Sequence, residues 1–125
     1  MEKLTPKRIK EVKAELLKEQ GYHCAVCKVD LRRVDSRNIC LDHCHSSGVI
    51  RGVLCRGCNG AEGKIKGLAI RYKKDLTPMQ WLENLTSYLK LHQIPQTDYL
   101  HNTFKTEAQK RELRNKKARD RRRKR

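Results

Sequence analysis

The sequence predicts an α+β chain, mostly helical, built around a short strand–strand–helix unit that a bound metal ties together. Three observations carry this reading. Capped, apolar-periodic segments near residues 6–20 and 78–94 read as helices. Residues 38–54 between them read as a β-hairpin. Two Cys-x-x-Cys pairs, Cys24/Cys27 and Cys55/Cys58, bracket that hairpin. At 125 residues the chain is one domain with an appended tail, divided as 1–100 and 101–125.

The first helix has Thr5 as its cap, Pro6 in its first turn and Gly21 at its stop. Ile9, Val12, Leu16 and Leu17 share one face, enough to pack it on a core. Cys24-Ala25-Val26-Cys27 reads as a knuckle turn. In the hairpin, Ile39 and Leu41 lie on the first strand and Ser46-Ser47-Gly48 at the turn. Val49, Ile50, Val53 and Leu54 follow on the second. From Cys58, through Asn59, Ala61, Glu62 and Lys64, a helix can start before Gly67, and residues 64–76 read as a basic connector. Thr77, Pro78 and Gln80 open the next helix with a capping box, and Pro95 ends it. Leu82, Leu85 and Leu89 mark its face, broadened by Trp81, Tyr88 and Leu91. From Arg111 to Arg125 ten Lys/Arg face two acidic residues, with Leu113 and Ala118 the only apolar side chains. That segment cannot form a core and is expected to be disordered, or a weak solvated helix, until it meets phosphate.

The net charge is +16 and the sequence pI is near 10.0. Such a field attracts polyanions, so nucleic acid is the expected partner. An anionic membrane would call for a helix with a strong apolar face beside a basic one, and none is visible. No run approaches 18 apolar residues, and Met1 to Lys7 carry no apolar signal core, so no membrane partner is expected. Six cysteines in this setting favour reduced thiols, metal ligation and a cytoplasm-like compartment. Only 37% of residues are hydrophobic and 35% are charged, so the small core needs a staple. Four thiolates in two knuckles suit a structural zinc ion, which takes tetrahedral sulfur ligands. Two disulfides are the alternative, and the reduced compartment disfavours them.

Nested inside the clamp is Asn38-Ile39-Cys40-Leu41-Asp42-His43-Cys44-His45, and Asn59 directly follows the last clamp cysteine. Phosphodiester hydrolysis needs a base for water, a cation for the charged phosphorane and a neutralised leaving oxygen. A neutral His serves the first. One Mg²⁺ held by oxygen ligands serves the others, and Asp42 and Asn59 offer such oxygens. Neighbouring strand residues point to opposite faces, so Asp42 and His43 need a local twist to share a site. The plainer reading is that Asp42 and His43 only cap or hydrogen-bond within a zinc-bound loop. A second zinc site from Cys40, His43, Cys44 and His45 is disfavoured, because a strand points the two kinds of ligand to opposite faces. Cys40 reads as a small buried residue.

The stretches Leu41-Asp42-His43-Cys44-His45, Gly48-Val49-Ile50-Arg51-Gly52-Val53-Leu54-Cys55 and Cys58-Asn59-Gly60-Ala61-Glu62-Gly63 resemble the phage recombination endonuclease VII family. That family belongs to the wider His-Asn-His, or ββα-metal, nucleases. The resemblance runs over roughly residues 5 to 95 and includes Trp81-Leu82-Glu83-Asn84-Leu85 and Tyr88-Leu89-Lys90. It implies a ββα-metal core with a structural four-cysteine zinc site, flanked by dimerisation helices. It implies resolution of branched DNA, Holliday and Y-junctions among them, leaving 5′-phosphate and 3′-hydroxyl ends. Asp42 and Asn59 would hold Mg²⁺ or Mn²⁺, His43 would be the general base, and His45 and Glu62 would assist. It further implies a homodimer through the helices near 6–20 and 78–94, and a phage-encoded enzyme acting in the host cytoplasm. One departure is Cys44, where the family usually has Asp.

Arg51, Lys64, Lys66 and Arg71 lie close enough in sequence to the site to contact backbone phosphates. Two alternatives stand beside junction resolution. One is a general nicking or homing-type His-Asn-His endonuclease. The other is a catalytically silent zinc-bearing nucleic-acid-binding protein.

Overall fold

The computed structural model describes all 125 residues. In order they form α1 (Pro6–Glu19), β1 (Ile39–His43), β2 (Ile50–Cys55), α2 (Arg56–Tyr72), α3 (Pro78–Leu91) and α4 (Glu107–Arg123). Two short 3-10 turns, Leu31–Arg33 and Ser36–Asn38, precede β1. The chain divides into two compact units, Met1–Leu85 and Thr86–Arg125. The α+β, mostly helical class is as the sequence predicts. No helix is long and apolar enough to cross a membrane.

In the first unit α1 starts where Thr5 Oγ1 accepts the Arg8 N–H at 3.2 Å. Leu16 and Leu17 turn inward from its last turns onto a core of Cys24, Leu31, Val53 and Leu54. That core is small, and Cys55 and Cys58 pack against it. Gln20, just past α1, uses its side-chain amide as a substitute strand. It donates to Val53 O at 2.8 Å and accepts from Val53 N at 2.8 Å, satisfying the free edge of β2. Gly52 must stay small for this, since a Cβ there would lie 3.0 Å from Gln20 Oε1.

β1 and β2 pair antiparallel, from Ile39 opposite Cys55 to Asp42 opposite Gly52. The register then slips, and His43 stands opposite Ile50. Arg51 is therefore the extra residue of a β-bulge, which bends the strand and re-aims side chains. Gly48, at φ +74, supplies the left-handed step of the turn.

β2 runs directly into α2. Cys55 is the N-cap, its Sγ accepting the Cys58 N–H at 3.4 Å. The sequence suggests a helix beginning near Cys58 and ending before Gly67, with a connector from residue 64. Instead α2 continues through Gly60, Gly63 and Gly67 to Tyr72. Glycine lowers helix propensity by about 1 kcal/mol but does not block a helix. Ala69, fully buried near the far end, anchors the last turns.

Thr77 and Gln80 form the expected reciprocal cap of α3, with Thr77 N to Gln80 Oε1 at 2.9 Å and Gln80 N to Thr77 Oγ1 at 3.1 Å. α3 ends at Leu91, three residues short of the expected 94. There the Gln96 amide donates to Leu91 O at 3.0 Å and Ile94 O at 2.9 Å, satisfying carbonyls the helix leaves over.

In the second unit the basic C-terminal segment is an ordered helix. Thr106 and Gln109 close a full capping box on α4. Glu107 in its first turn and Arg121, Arg122 and Arg123 in its last complement the helix dipole.

Candidate active site and metal clamp

The two knuckles meet. The Sγ atoms of Cys24, Cys27, Cys55 and Cys58 all lie within 4.8 Å of one another, with Cys27 and Cys55 at 3.8 Å. A tetrahedron with metal–sulfur bonds of about 2.3 Å has edges of about 3.8 Å. All six cysteines are free thiols. Burial alone would raise the Cys24 thiol, but N–H groups of Cys55, Cys27 and Val26 outweigh it and bring it down to about 6. Hydrogen bonding to Cys55 and Cys27 pushes Cys58 up to about 12. Four thiols packed this closely repel one another once charged, and a shared dication removes the conflict. The donor set and spacing therefore fit a metal such as zinc. No second cluster of three or more His, Cys, Asp or Glu ligands forms, so Cys40, His43, Cys44 and His45 do not converge.

Above the clamp, the hairpin and the first turns of α2 place the remaining candidates. Asp42 is only 6% exposed. The bulge turns Arg51 onto it, with Nε to Oδ2 at 2.7 Å and Nη2 to Oδ1 at 2.9 Å. Arg51 Nη2 also reaches Glu62 Oε2 at 3.0 Å. Asp42, from β1, and Glu62, from α2, thus converge on one cation. Those bonds, Asp42 first, raise the Arg51 guanidinium pKa further above its already high value. Asn59 is half-buried in the first turn of α2, three residues before Glu62 and so on the same side of the helix.

His43 ends β1 exposed to solvent, past the bulge. His45, equally exposed, lies with its ring centroid 4.8 Å from that of His43. His45, Ser46, Glu62, Lys66 and Ile70 are among the residues lining a cleft of about 520 Å³ against α2. Lys66 is half-buried there, while Lys64 and Arg71 are exposed on α2, Arg71 over the Tyr72 ring. Cys44 Sγ lies 3.1 Å from Ser46 Oγ. Hydrogen bonds from Ser46 and Ser47 pull this half-buried thiol down to about 6.

The structure brings Asp42, Glu62 and Arg51 into one network and His43 beside His45. It binds Asn59 to this region through its place on α2. The link from Arg51 to both carboxylates is not legible in the sequence, where Arg51 reads as a phosphate contact. Only the bulge makes it, and a bulge leaves no residue signature here.

The chain matches the family model described as recombination endonuclease VII over residues 2–91. It belongs to that family.

Proposed function

We propose that this member of the recombination endonuclease VII family is a divalent-metal-dependent endonuclease that resolves branched DNA, cutting to 5′-phosphate and 3′-hydroxyl ends. The observation that carries the reading is the buried Asp42 and the α2 carboxylate Glu62 converging on one positive group, beside the exposed His43 and His45. The strand–strand–helix unit from Ile39 to Tyr72 is read as the ββα-metal core of this nuclease class.

Two carboxylates aimed at one cation fit a hard divalent ion. Asp42 and Asn59 would hold it, and Glu62 would assist. When bound, Mg²⁺ or Mn²⁺ would stabilise the charge that builds on phosphate and leaving oxygen. His43 would take the proton from the attacking water, a role its solvent-facing imidazole suits. His45, its ring tilted against that of His43, would orient it. The Arg51 guanidinium, bonded to both carboxylates, is read as standing where that ion would sit. Displaced by a metal, its guanidinium would turn to a DNA phosphate, the role its sequence position suggests. Lys64, Lys66 and Arg71 on α2 would add backbone contacts.

A homodimer through α1 and α3 is part of the reading. Its support is the apolar stripe of Leu82, Leu85 and Leu89 on one face of α3, of which Leu85 and Leu89 are exposed.

The test is cleavage of a synthetic four-way junction and its matched linear duplexes, with and without Mg²⁺. Mg²⁺-dependent, paired incisions at the junction are expected, with His43→Ala lacking them. Equal cutting of linear duplex would leave a general nicking enzyme. No cutting of any DNA by the zinc-loaded chain would sink the catalytic reading.

A further inference from the structure

We propose that α4 is a second DNA-binding element, a preformed helix that lies along the phosphate backbone of duplex DNA through one basic face, independently of the cleavage site. α4 lies outside the residues that match the family model. Its sequence places Lys110, Arg114, Lys117 and Arg121 at successive spacings of four, three and four. Those positions form one stripe along a helix. Arg111 and Arg122 flank it, and every one of these side chains is exposed. Of the six, only Lys110 has an acidic partner, Glu107 at 3.0 Å.

The opposite face is used differently. Phe104 and Lys105 share with Gln109, Glu112, Leu113 and Lys116 a hollow of about 780 Å³. The segment before α4 therefore lies along the side centred on Glu112 and Lys116, and none of the four stripe residues lines that hollow. The capping box fixes where the helix starts.

The electrostatics select the partner. Like charges three or four residues apart on a helix repel, so the stripe weakens α4 on its own. A polyanion turns that repulsion into attraction. The stripe from Lys110 to Arg121 rises about 16 Å at 1.5 Å per residue. Duplex DNA offers one phosphate per roughly 1.7 Å of axis, enough to meet every stripe residue. A helix about 10–12 Å across also matches a major groove of about 12 Å. The face lacks apolar side chains that would enter a bilayer, which disfavours a membrane.

The experiment uses the full chain and reads binding to a fluorescent linear duplex in EDTA across a salt series, with zinc retained by the clamp verified by metal analysis. Reading binding without divalent ion separates this result from the success or failure of the cleavage reading. The stripe variant is Arg114→Gln/Lys117→Gln/Arg121→Gln. The control removes the same charge elsewhere on the unit, as Lys105→Gln/Lys116→Gln/Arg119→Gln. Each phosphate contact contributes about 0.9 to the slope of log K against log salt. The stripe variant should lose about 2.7 from that slope, and the control less than about 1. Circular dichroism should show intact helix in both variants and no large change in the wild type on DNA, as a preformed helix requires. Equal losses in the two variants would reduce the effect to net charge and overturn the proposal. So would an unchanged slope in the stripe variant, or a loss of binding to phosphatidylserine vesicles with binding to DNA preserved.

Discussion

Replacing Arg51 should tighten metal binding while slowing cleavage. The structure gives the reason. Arg51 holds both oxygens of Asp42 at 2.7 and 2.9 Å, and the same guanidinium reaches Glu62. A divalent ion bound by Asp42 competes for the same lone pairs and is repelled by the guanidinium. Arg51→Met keeps the apolar stem and removes the charge. Hydrogen bonds to charged groups contribute about 1.5–3 kcal/mol. The Arg51 side chain is 36% exposed and that of Asp42 8%, so solvent screening puts the pair at the low end of this range. About 1.4 kcal/mol of lost competition is a tenfold gain in affinity. Titration of free Mn²⁺ against zinc-loaded, DNA-free protein should therefore show roughly tenfold tighter binding in Arg51→Met. Asp42→Asn should abolish that binding. Without Mn²⁺ the Arg51→Met protein should melt below wild type, because Asp42 is left buried without a partner, and saturating Mn²⁺ should close most of the gap. Junction cleavage should fall despite the tighter metal, because the phosphate contact proposed for Arg51 would be lost. Unchanged or weaker Mn²⁺ affinity in Arg51→Met would refute the argument that the guanidinium occupies the ion's place.

Three further outcomes follow from particular contacts. Metal analysis should find one zinc per chain, and its removal by a strong chelator should unfold residues 22–58, since structural zinc contributes about 10–16 kcal/mol, as much as a small domain's whole stability; a native near-ultraviolet dichroism spectrum in the stripped protein would contradict this. His43→Ala should lower single-turnover cleavage about 10²- to 10⁴-fold with junction binding unchanged, the range for loss of a general base, and a loss below tenfold would remove His43 from that role. Gly52→Ala should cost about 1–2 kcal/mol through the 3.0 Å approach of its Cβ to Gln20 Oε1, which disturbs the paired bonds to Val53; in a Gln20→Ala background most of that cost should vanish, and an additive double-mutant cycle would place the strain elsewhere.

What the sequence makes legible and what it hides divide by the range of the interaction. Caps are local, so Thr5 and the Thr77–Gln80 box stand where expected. The clamp is also legible, because Cys-x-x-Cys spacing encodes ligand geometry at short range. α2 is misjudged because Gly67 reads as a stop, while the burial of Ala69 two residues later depends on tertiary packing. The shared position of Asp42, Arg51 and Glu62 is hidden for the same reason. It needs a register slip between Asp42 and His43 and a helix docked on the hairpin, neither of which any short motif carries. Asp42 is buried and His43 exposed, so the strand alternation holds across the register slip.

The clamp and the candidate site meet at a single turn. Cys55 is at once the last residue of β2, the N-cap of α2 and one of the four clustered cysteines that could hold a metal. Cys58 follows in the first turn, Asn59 directly after it, and Glu62 within one more turn. A metal that fixes Cys55 and Cys58 therefore fixes the direction in which α2 leaves the sheet. It also fixes where Asn59 and Glu62 stand relative to Asp42, which β1 holds opposite Gly52. The apolar core under this arrangement is only four buried residues, two of them from β2. So small a core cannot hold the angle between strand and helix to the sub-ångström tolerance that an ion site needs. Loss of zinc should thus be felt at Asp42 and Glu62 before α1 or α3 loses helix, because those two helices carry caps of their own.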